Sequence, residues 1–408
     1  MDTASGLPAL RRTPFPRFVC AQTADYMAYN MLTVAVGWKV YELTDSALSL
    51  GLVGLVQFLP QLLLTFVVGH VADRYERRRV AMICQGALLA VSALLALGSL
   101  TDGLTEGRVL ALACAMGSAR AFVYPSMQAI LPTLLPPAVL PRALALSATS
   151  RQCGVILGPA LGGALYAAGA SVVFLTCAAT YALSIAALAG LRTPRSDAPR
   201  APLSLASLLG GVAFIRSRPE ILGAISLDLF SVLLGGATAL LPIFARDILQ
   251  AGPFGLGLLR AAPAGGAVLM SLFLAQHPMT SRVGRKMFAA VALFGVATIV
   301  FGLSTNFALS LAALVVLGCC DMVSVVVRSS LVQLDTPDEM RGRVSAVNSV
   351  FIGTSNQLGE FESGVTAAWF GAAPAVVIGG VCTVLVAVLW MRLFPTLLRR
   401  ETLIRPGA

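Results

Sequence analysis

GHVADRYERRRV, residues 69–80, sets six charged side chains into twelve positions, and the chain on either side is almost uncharged. Before it runs SLGLVGLVQFLPQLLLTFVV and after it AMICQGALLAVSALLALGSL. Each flank is long enough to cross about 30 Å of hydrocarbon as a helix. The charged stretch therefore reads as a loop between two membrane spans, kept on one side by its arginines.

The composition agrees. Of 408 residues, 57% are hydrophobic and 12% charged, with a mean hydropathy of +0.84, whereas soluble domains carry about 25% charged residues. A chain this long and this apolar is an integral membrane protein. Its net charge of +10 suits basic loops facing anionic lipid, and no nucleic-acid-binding motif accompanies it. The eight cysteines lie in apolar stretches without C-x-x-C spacing or histidine partners. That predicts small core residues, with no disulfide framework, no metal site and no cofactor. The opening MDTASGLPALRRTPFPRF lacks the apolar core of a cleavable signal peptide.

Apolar runs of spanning length recur twelve times, the first at 18–41, the seventh at 219–245 and the eleventh at 343–368. The predicted fold is all-α, with twelve transmembrane helices in two pseudo-symmetric six-helix halves. A tail, 1–17, precedes the first half, 18–191. A linker, 192–218, has an amphipathic second part suited to the membrane surface. The second half, 219–394, and a tail, 395–408, complete the chain. Most of the 29 Lys+Arg residues lie in the tails and in the loops from even to odd spans, among them Arg79, Arg282 and Arg285. The positive-inside rule assigns these loops and both termini to the cytoplasm.

The halves repeat. Asp25 in the first span and Asp228 in the seventh stand at equal depth. Gly117 and Gly318 align in the fourth and tenth spans, which places Arg120 over Asp321. The charged loop has a worn copy in SRVGRK, residues 281–286. All recur at an offset of about 200 residues, as in transporters whose parallel repeats rock around a site at mid-membrane.

Over its whole length the sequence resembles the major facilitator superfamily. Gly69, Asp73, Arg74, Arg77 and Arg78 match that family's signature between spans 2 and 3, G-x-L-a-D-R-x-G-R-R, with Glu76 where the family usually has Gly. GVILGPALGG, 154–163, resembles the span 5 signature of the family's proton-coupled antiporters through Gly154, Gly158, Pro159, Gly162 and Gly163. RAFVYPSMQAILPTLLP, 120–136, and SNQLGEFESG, 355–364, resemble the enterobactin-exporter-like branch. The resemblance implies that the charged loop is a cytoplasmic latch and that spans 1, 4, 7 and 10 line a central cavity. Electrostatics suit the latch, with Asp73 expected to face the positively polarised N-terminus of span 11 near Gly342. The span 5 glycines admit close helix approach and, with Pro159, a kink.

A charge at mid-membrane costs about 2.5–3.5 kcal/mol, so such residues mark cavities or pairs. Asp25, Arg120, Asp228 and Asp321 are candidates to meet in the cavity, with Arg328 two turns past Asp321 on the same face. The alternative is two structural ion pairs, Asp25–Arg120 and Asp321–Arg328. Tyr26 and Asn30 accompany Asp25 at helical spacing, and Tyr124 follows Arg120 by one turn. Arg151 is a candidate to bind an anionic group or to neutralise Glu360, and Asn356 and Glu360 belong to a polar stripe on span 11. The acid pair Asp228/Asp321 is expected to bind the coupling proton, while Asp25–Arg120 shapes the cavity. His70 and His277 read as interfacial residues.

A phosphate-cradling loop would place Lys before Ser or Thr, but Lys39 and Lys286 precede Val and Met. An ATP-driven pump within this chain is excluded. No H-E-x-x-H or G-x-S-x-G motif supports an enzyme. The expected function is secondary transport: a monomeric proton-antiport exporter of a small organic molecule (siderophore, drug or metabolite), working by alternating access in the cytoplasmic membrane. Its partners are the substrate, protons and membrane lipids. Proton-coupled uptake by symport and a transporter-like sensor without flux are the alternatives.

Overall fold

The computed structural model describes residues 13–136, 139–191 and 205–403. The side chains of His70 and Asp73 and the surroundings of Gly69 lie outside the described set, as do Arg192, Arg195 and Arg200 of the linker. Six long helices precede the linker: α1 Phe15–Thr44, α2 Ala47–Arg74, α3 Arg77–Leu100, α4 Glu106–Leu134, α5 Leu140–Ala167 and α6 Ala170–Ala189. The second part of the linker forms α7, Leu205–Ser217. Then come α8 Pro219–Leu234, α9 Gly252–Gln276, α10 Val283–Leu303, α11 Phe307–Leu334, α12 Asp338–Phe370 and α13 Ala372–Leu393, with a last turn at Pro395–Leu398. Apart from α7 these are the twelve transmembrane helices of the expected fold.

Length and apolar composition alone qualify nine of the described helices as spans. The other three, α1, α5 and α12, hold Asp25, Arg151 and Glu360, and their polar content explains the shortfall. The outward faces are inverted relative to a soluble protein. Leu63, Ile83, Leu303 and Trp369 are 66%, 72%, 70% and 76% exposed, a surface that suits acyl chains and not water.

Contacts divide the chain into two units. The first comprises Met1–Asp45, Val56–Pro202 and Gly252–Ala261, and the second Ser46–Leu55, Leu203–Ala251 and Ala262–Ala408. The boundaries thus cut α2 and α9 as well as the linker. The first turns of α2 group with the second unit because Gly51 lies against Gly364 of α12; those of α9 group with the first because Gly257 lies against Ala160 of α5. Within the first unit α1 packs on α5 and α6, and α3 on α4 and α6. Within the second, α10 packs on α11 and α13, and α12 on α8. There Leu227, Met287, Phe288, Leu331 and Ala387 bring α8, α10, α11 and α13 to one core.

The seventh span is not one helix. α8 stops at Leu234, a 3-10 turn covers Ala237–Leu240, and a short α-helical and a π-helical turn continue to Ile248. Gly235-Gly236 and Pro242 explain the interruption. A broken helix in lipid needs new partners for its freed carbonyls. Ser363 on α12 donates to Gly236 O at 2.7 Å, and Thr383 on α13 donates to Ser231 O at 3.2 Å. The break therefore falls within two turns of Asp228, in a span whose discontinuity the apolar run 219–245 does not reveal.

Candidate transport and coupling site

The first unit holds a buried acid–base network. Asp25 on α1 is 1% exposed and Arg120 on α4 is 9% exposed. Arg120 Nη1 donates to Asp25 Oδ2 at 2.7 Å, so these two sequence candidates do meet. The other carboxylate oxygen accepts from Gln85 Nε2 at 3.1 Å, and Ser184 donates to Gln85 Oε1 at 3.0 Å. The guanidinium lies over the rings of Tyr26 and Tyr29, 4.7 and 4.4 Å from their centroids, each contact contributing about 0.5–2 kcal/mol. The Tyr181 hydroxyl is buried and has no hydrogen-bond partner among the described residues. Gln85, Ser184, Tyr29 and Tyr181 escape a reading that follows charge, because a single polar residue in an apolar span carries little signal. Tyr29, one turn after Asp25, had the right spacing to be found.

The second unit differs. Arg328 on α11 donates to Asp228 on α8, and both are buried. The expected alternative pair, Asp321–Arg328, is corrected: the arginine reaches across to the neighbouring helix instead of along its own. Asp321 makes no ion pair among the described residues and lines a small recess with Asp228, Ser231, Ser324, Cys320 and Phe294. The hydroxyls of Ser231 and Ser324 are buried with no hydrogen-bond partner among the described residues. Each serine follows an aspartate by three residues, Asp228 or Asp321, and so shares its helix face. Helical spacing points to both, although neither was among the expected site residues.

The remaining candidates are less buried. Asn30 Nδ2 donates to Tyr26 O at 2.8 Å, which ties it to its own helix. Tyr124 is 45% exposed, and its hydroxyl accepts from Gln128 at 2.8 Å. Arg151 and Glu360 are partly exposed, and Asn356 is exposed. A side chain at Gly54 on α2 would meet Glu360. Glu362 accepts from Thr366 at 2.7 Å. Among the described residues no cluster of three or more His, Cys, Asp or Glu is placed to hold a metal.

The arginines of the charged loop serve the first unit directly. Arg77 donates to Ala129 O of α4 at 3.2 Å, and Arg78 to Ala189 O at 3.1 Å and to Leu191 O. Arg17 adds a bond to Gly190 O at 2.9 Å. Arg78 and Arg17 satisfy the orphan carbonyls at the negative end of α6. Glu76, at the position where glycine was expected, is extended (φ −61°, ψ 116°) and pairs with Arg78 and Arg79 at 3.0 and 2.7 Å. That backbone does not require glycine. Arg74 is exposed.

In α5, Gly154, Gly158 and Gly162 lie against Tyr26, Asn30 and Met31 of α1, while Gly163 meets Pro253 and Gly257 of α9. Pro159 is buried beside them. A Cβ at Gly154 would stand 2.7 Å from the Tyr26 Cβ. Gly154→Val is therefore expected to destabilise the α1–α5 packing by about 1–3 kcal/mol. Thermal melting of the detergent-solubilised protein checks this, and an unchanged midpoint would show that α1 has room to move.

Comparisons with known proteins agree with this architecture. The sequence model of the Major Facilitator Superfamily matches residues 18–359. The chain is 27% identical over 406 residues to the protein named enterobactin exporter EntS of Citrobacter koseri, covering 96% of this chain and 93% of that one. It is 27% identical over 354 residues to that of Shigella boydii, covering 83% and 80%. Among solved structures, a mutant form of the nucleoside transporter NupG superposes with a TM-score of 0.74 at 14% identity, over 93% of this chain and 100% of that one. A bacterial homolog of the human lysosomal transporter Spinster, inward-facing and unoccupied, gives 0.72 at 13% identity, over 94% and 95%. At such identities the structures speak for the fold alone. The family match, spanning most of the chain, accounts for the repeated halves, the charged loop and the charges within spans together: this chain belongs to the Major Facilitator Superfamily and is a multi-pass membrane transporter, not an enzyme.

Proposed function

We propose that this transporter exports a small organic molecule by proton antiport, with the Asp228/Asp321 recess as the coupling site and the Asp25–Arg120 network as a wall of the substrate path. One observation carries the coupling assignment. Two carboxylates line the recess, and the arginine that reaches one of them, Arg328, is committed to Asp228. The cluster holds one negative charge in excess, and a proton is the smallest cation that removes it. The first unit has no such excess, since Asp25 has Arg120 at 2.7 Å. Export of a siderophore-type compound is supported by the relatives named as enterobactin exporters. Efflux from loaded proteoliposomes under an imposed pH gradient tests the reading. Uptake along the proton gradient would instead favour symport, and absence of flux a sensor.

The proposed orientation places both termini in the cytoplasm. With native cysteines replaced, new cysteines at Arg79 and Arg285 are expected to react with impermeant maleimide only in inverted vesicles, and those at Asp102 and Asp247 only in intact cells. The opposite pattern would reverse the topology. The proposed division into halves follows the linker, and the proposed functional unit is the monomer in its lipid environment.

A further inference from the structure

The cytoplasmic end of the second unit contains a buried cation that the transport reading does not use. Arg400, 8% exposed, follows α13. Its Nη1 donates to Glu220 Oε2 at 2.6 Å and its Nη2 to Asp335 Oδ1 at 3.1 Å. Its Nε and Nη2 also donate to the carbonyls of Thr402 and Leu403 at 2.8 and 2.9 Å, so its own segment fixes the guanidinium. Glu220 lies in the first turn of α8, two turns before Asp228. Asp335 caps α11, two turns after Arg328. Arg400 thus ties the same two helices that the Asp228–Arg328 pair ties, about 11 Å farther along them.

The same segment is seated on a third helix. The first amides of a helix have no acceptor within it. In α10, Val283 N donates to Glu401 O at 3.2 Å and Gly284 N to Arg400 O at 2.9 Å. Arg282 N, just before the helix, donates to Glu401 Oε2 at 3.3 Å. A Cβ at position 284 would overlap the Leu397 carbonyl oxygen. The glycine of the worn copy SRVGRK therefore makes room for the C-terminal segment. Leu397 itself is fully buried in the core shared by α8, α10, α11 and α13.

We propose that residues 395–403 form a cytoplasmic strap and that Arg400 is a positioning residue, holding α8 and α11 in the register in which Asp228 meets Arg328. The functional half of this inference rests on the assignment of Asp228 and Asp321 as the coupling site. A cycle that breaks the Asp228–Arg328 pair within the membrane leaves the lower tie in place, and the pair re-forms in register.

Trp390 provides a readout independent of transport. Its Nε1 donates to Ser226 Oγ of α8 at 2.9 Å, and its ring lies 5.2 Å from Phe230 and 6.2 Å from Phe394 at the root of the strap. The chain has three tryptophans, so Trp38→Phe with Trp369→Phe isolates this signal. Arg400→Gln alone withdraws the guanidinium from two partly buried carboxylates and risks misfolding. The decisive variant combines Arg400→Gln, Glu220→Gln and Asp335→Asn, which removes the tie without stranding charge. It is expected to elute as the wild type does, with acrylamide quenching of Trp390 raised at least about twofold. Gradient-driven transport should be slowed roughly tenfold, a scale reached when reacting groups are slightly misplaced, with counterflow retained. Wild-type quenching together with wild-type gradient-driven transport in this variant would overturn the strap. Raised quenching with an unchanged transport rate would overturn the positioning role. If Asp321→Asn retains gradient-driven transport, the coupling assignment fails, while Trp390 quenching still reports the strap.

Discussion

Asp321→Asn is expected to abolish uphill transport driven by a pH gradient in proteoliposomes while substrate counterflow, which needs no net proton movement, continues near the wild-type rate. Asn cannot carry a proton on and off, yet it keeps the shape and polarity of the side chain in the recess with Ser231 and Ser324. Asp228→Asn should have the same consequence by another route. It leaves Arg328 as the uncompensated cation that balances the charge of Asp321, so the cluster no longer carries the excess negative charge on which the proposed proton binding depends. Asp25→Asn is the control: gradient-driven transport persists, at a reduced rate. Retention of coupling in both second-unit variants, with its loss in Asp25→Asn alone, would move the proton site to the first unit.

Arg120→Ala should be the most destabilising single change in the first unit. It strands Asp25 at 1% exposure, with Gln85 as its remaining hydrogen-bond donor among the described residues, and empties the space beneath Tyr26 and Tyr29. Breaking a buried pair by removing one partner costs about 3–5 kcal/mol, and the lost cation–π contacts add to this. Asp25→Asn together with Arg120→Gln removes both charges and should recover a large part of the loss, because the cost lies in the uncompensated ion. Thermal melting in detergent, read alongside the fraction of monodisperse protein, separates these cases. Equal melting of Arg120→Ala and the wild type would mean that water reaches Asp25 freely.

Legibility varied from one feature to the next, for physical reasons. Spans are set by local composition, since every backbone group crossing lipid must be satisfied within its own helix. Twelve apolar runs and their repeat therefore stood out along the chain, and so did the residues within them that carry charge. The family followed from the spacing of Gly69, Asp73 and the loop arginines. Asp25–Arg120 was legible as one of two possibilities. The break after α8 was less so, because Gly235-Gly236 also suits tight packing and the run stays apolar through it.

Partner choice was decided only in three dimensions. Asp321 and Arg328 share a helix face, but two turns separate them by about 10 Å along the axis, and an arginine spans that distance poorly without turning back on its own helix. Asp228 on the adjacent helix α8 takes the guanidinium instead, and Asp321 is left as the odd acid of its recess. The role of Arg400 was equally hidden. In sequence it is one more arginine of the C-terminal tail, indistinguishable from Arg399 beside it. Its burial and its bonds to Glu220 and Asp335, 180 and 65 positions away, arise from the packing of α8, α10, α11 and α13, which no local pattern encodes. Composition determined that this protein crosses the membrane and which charges go with it; tertiary packing determined which of those charges are compensated.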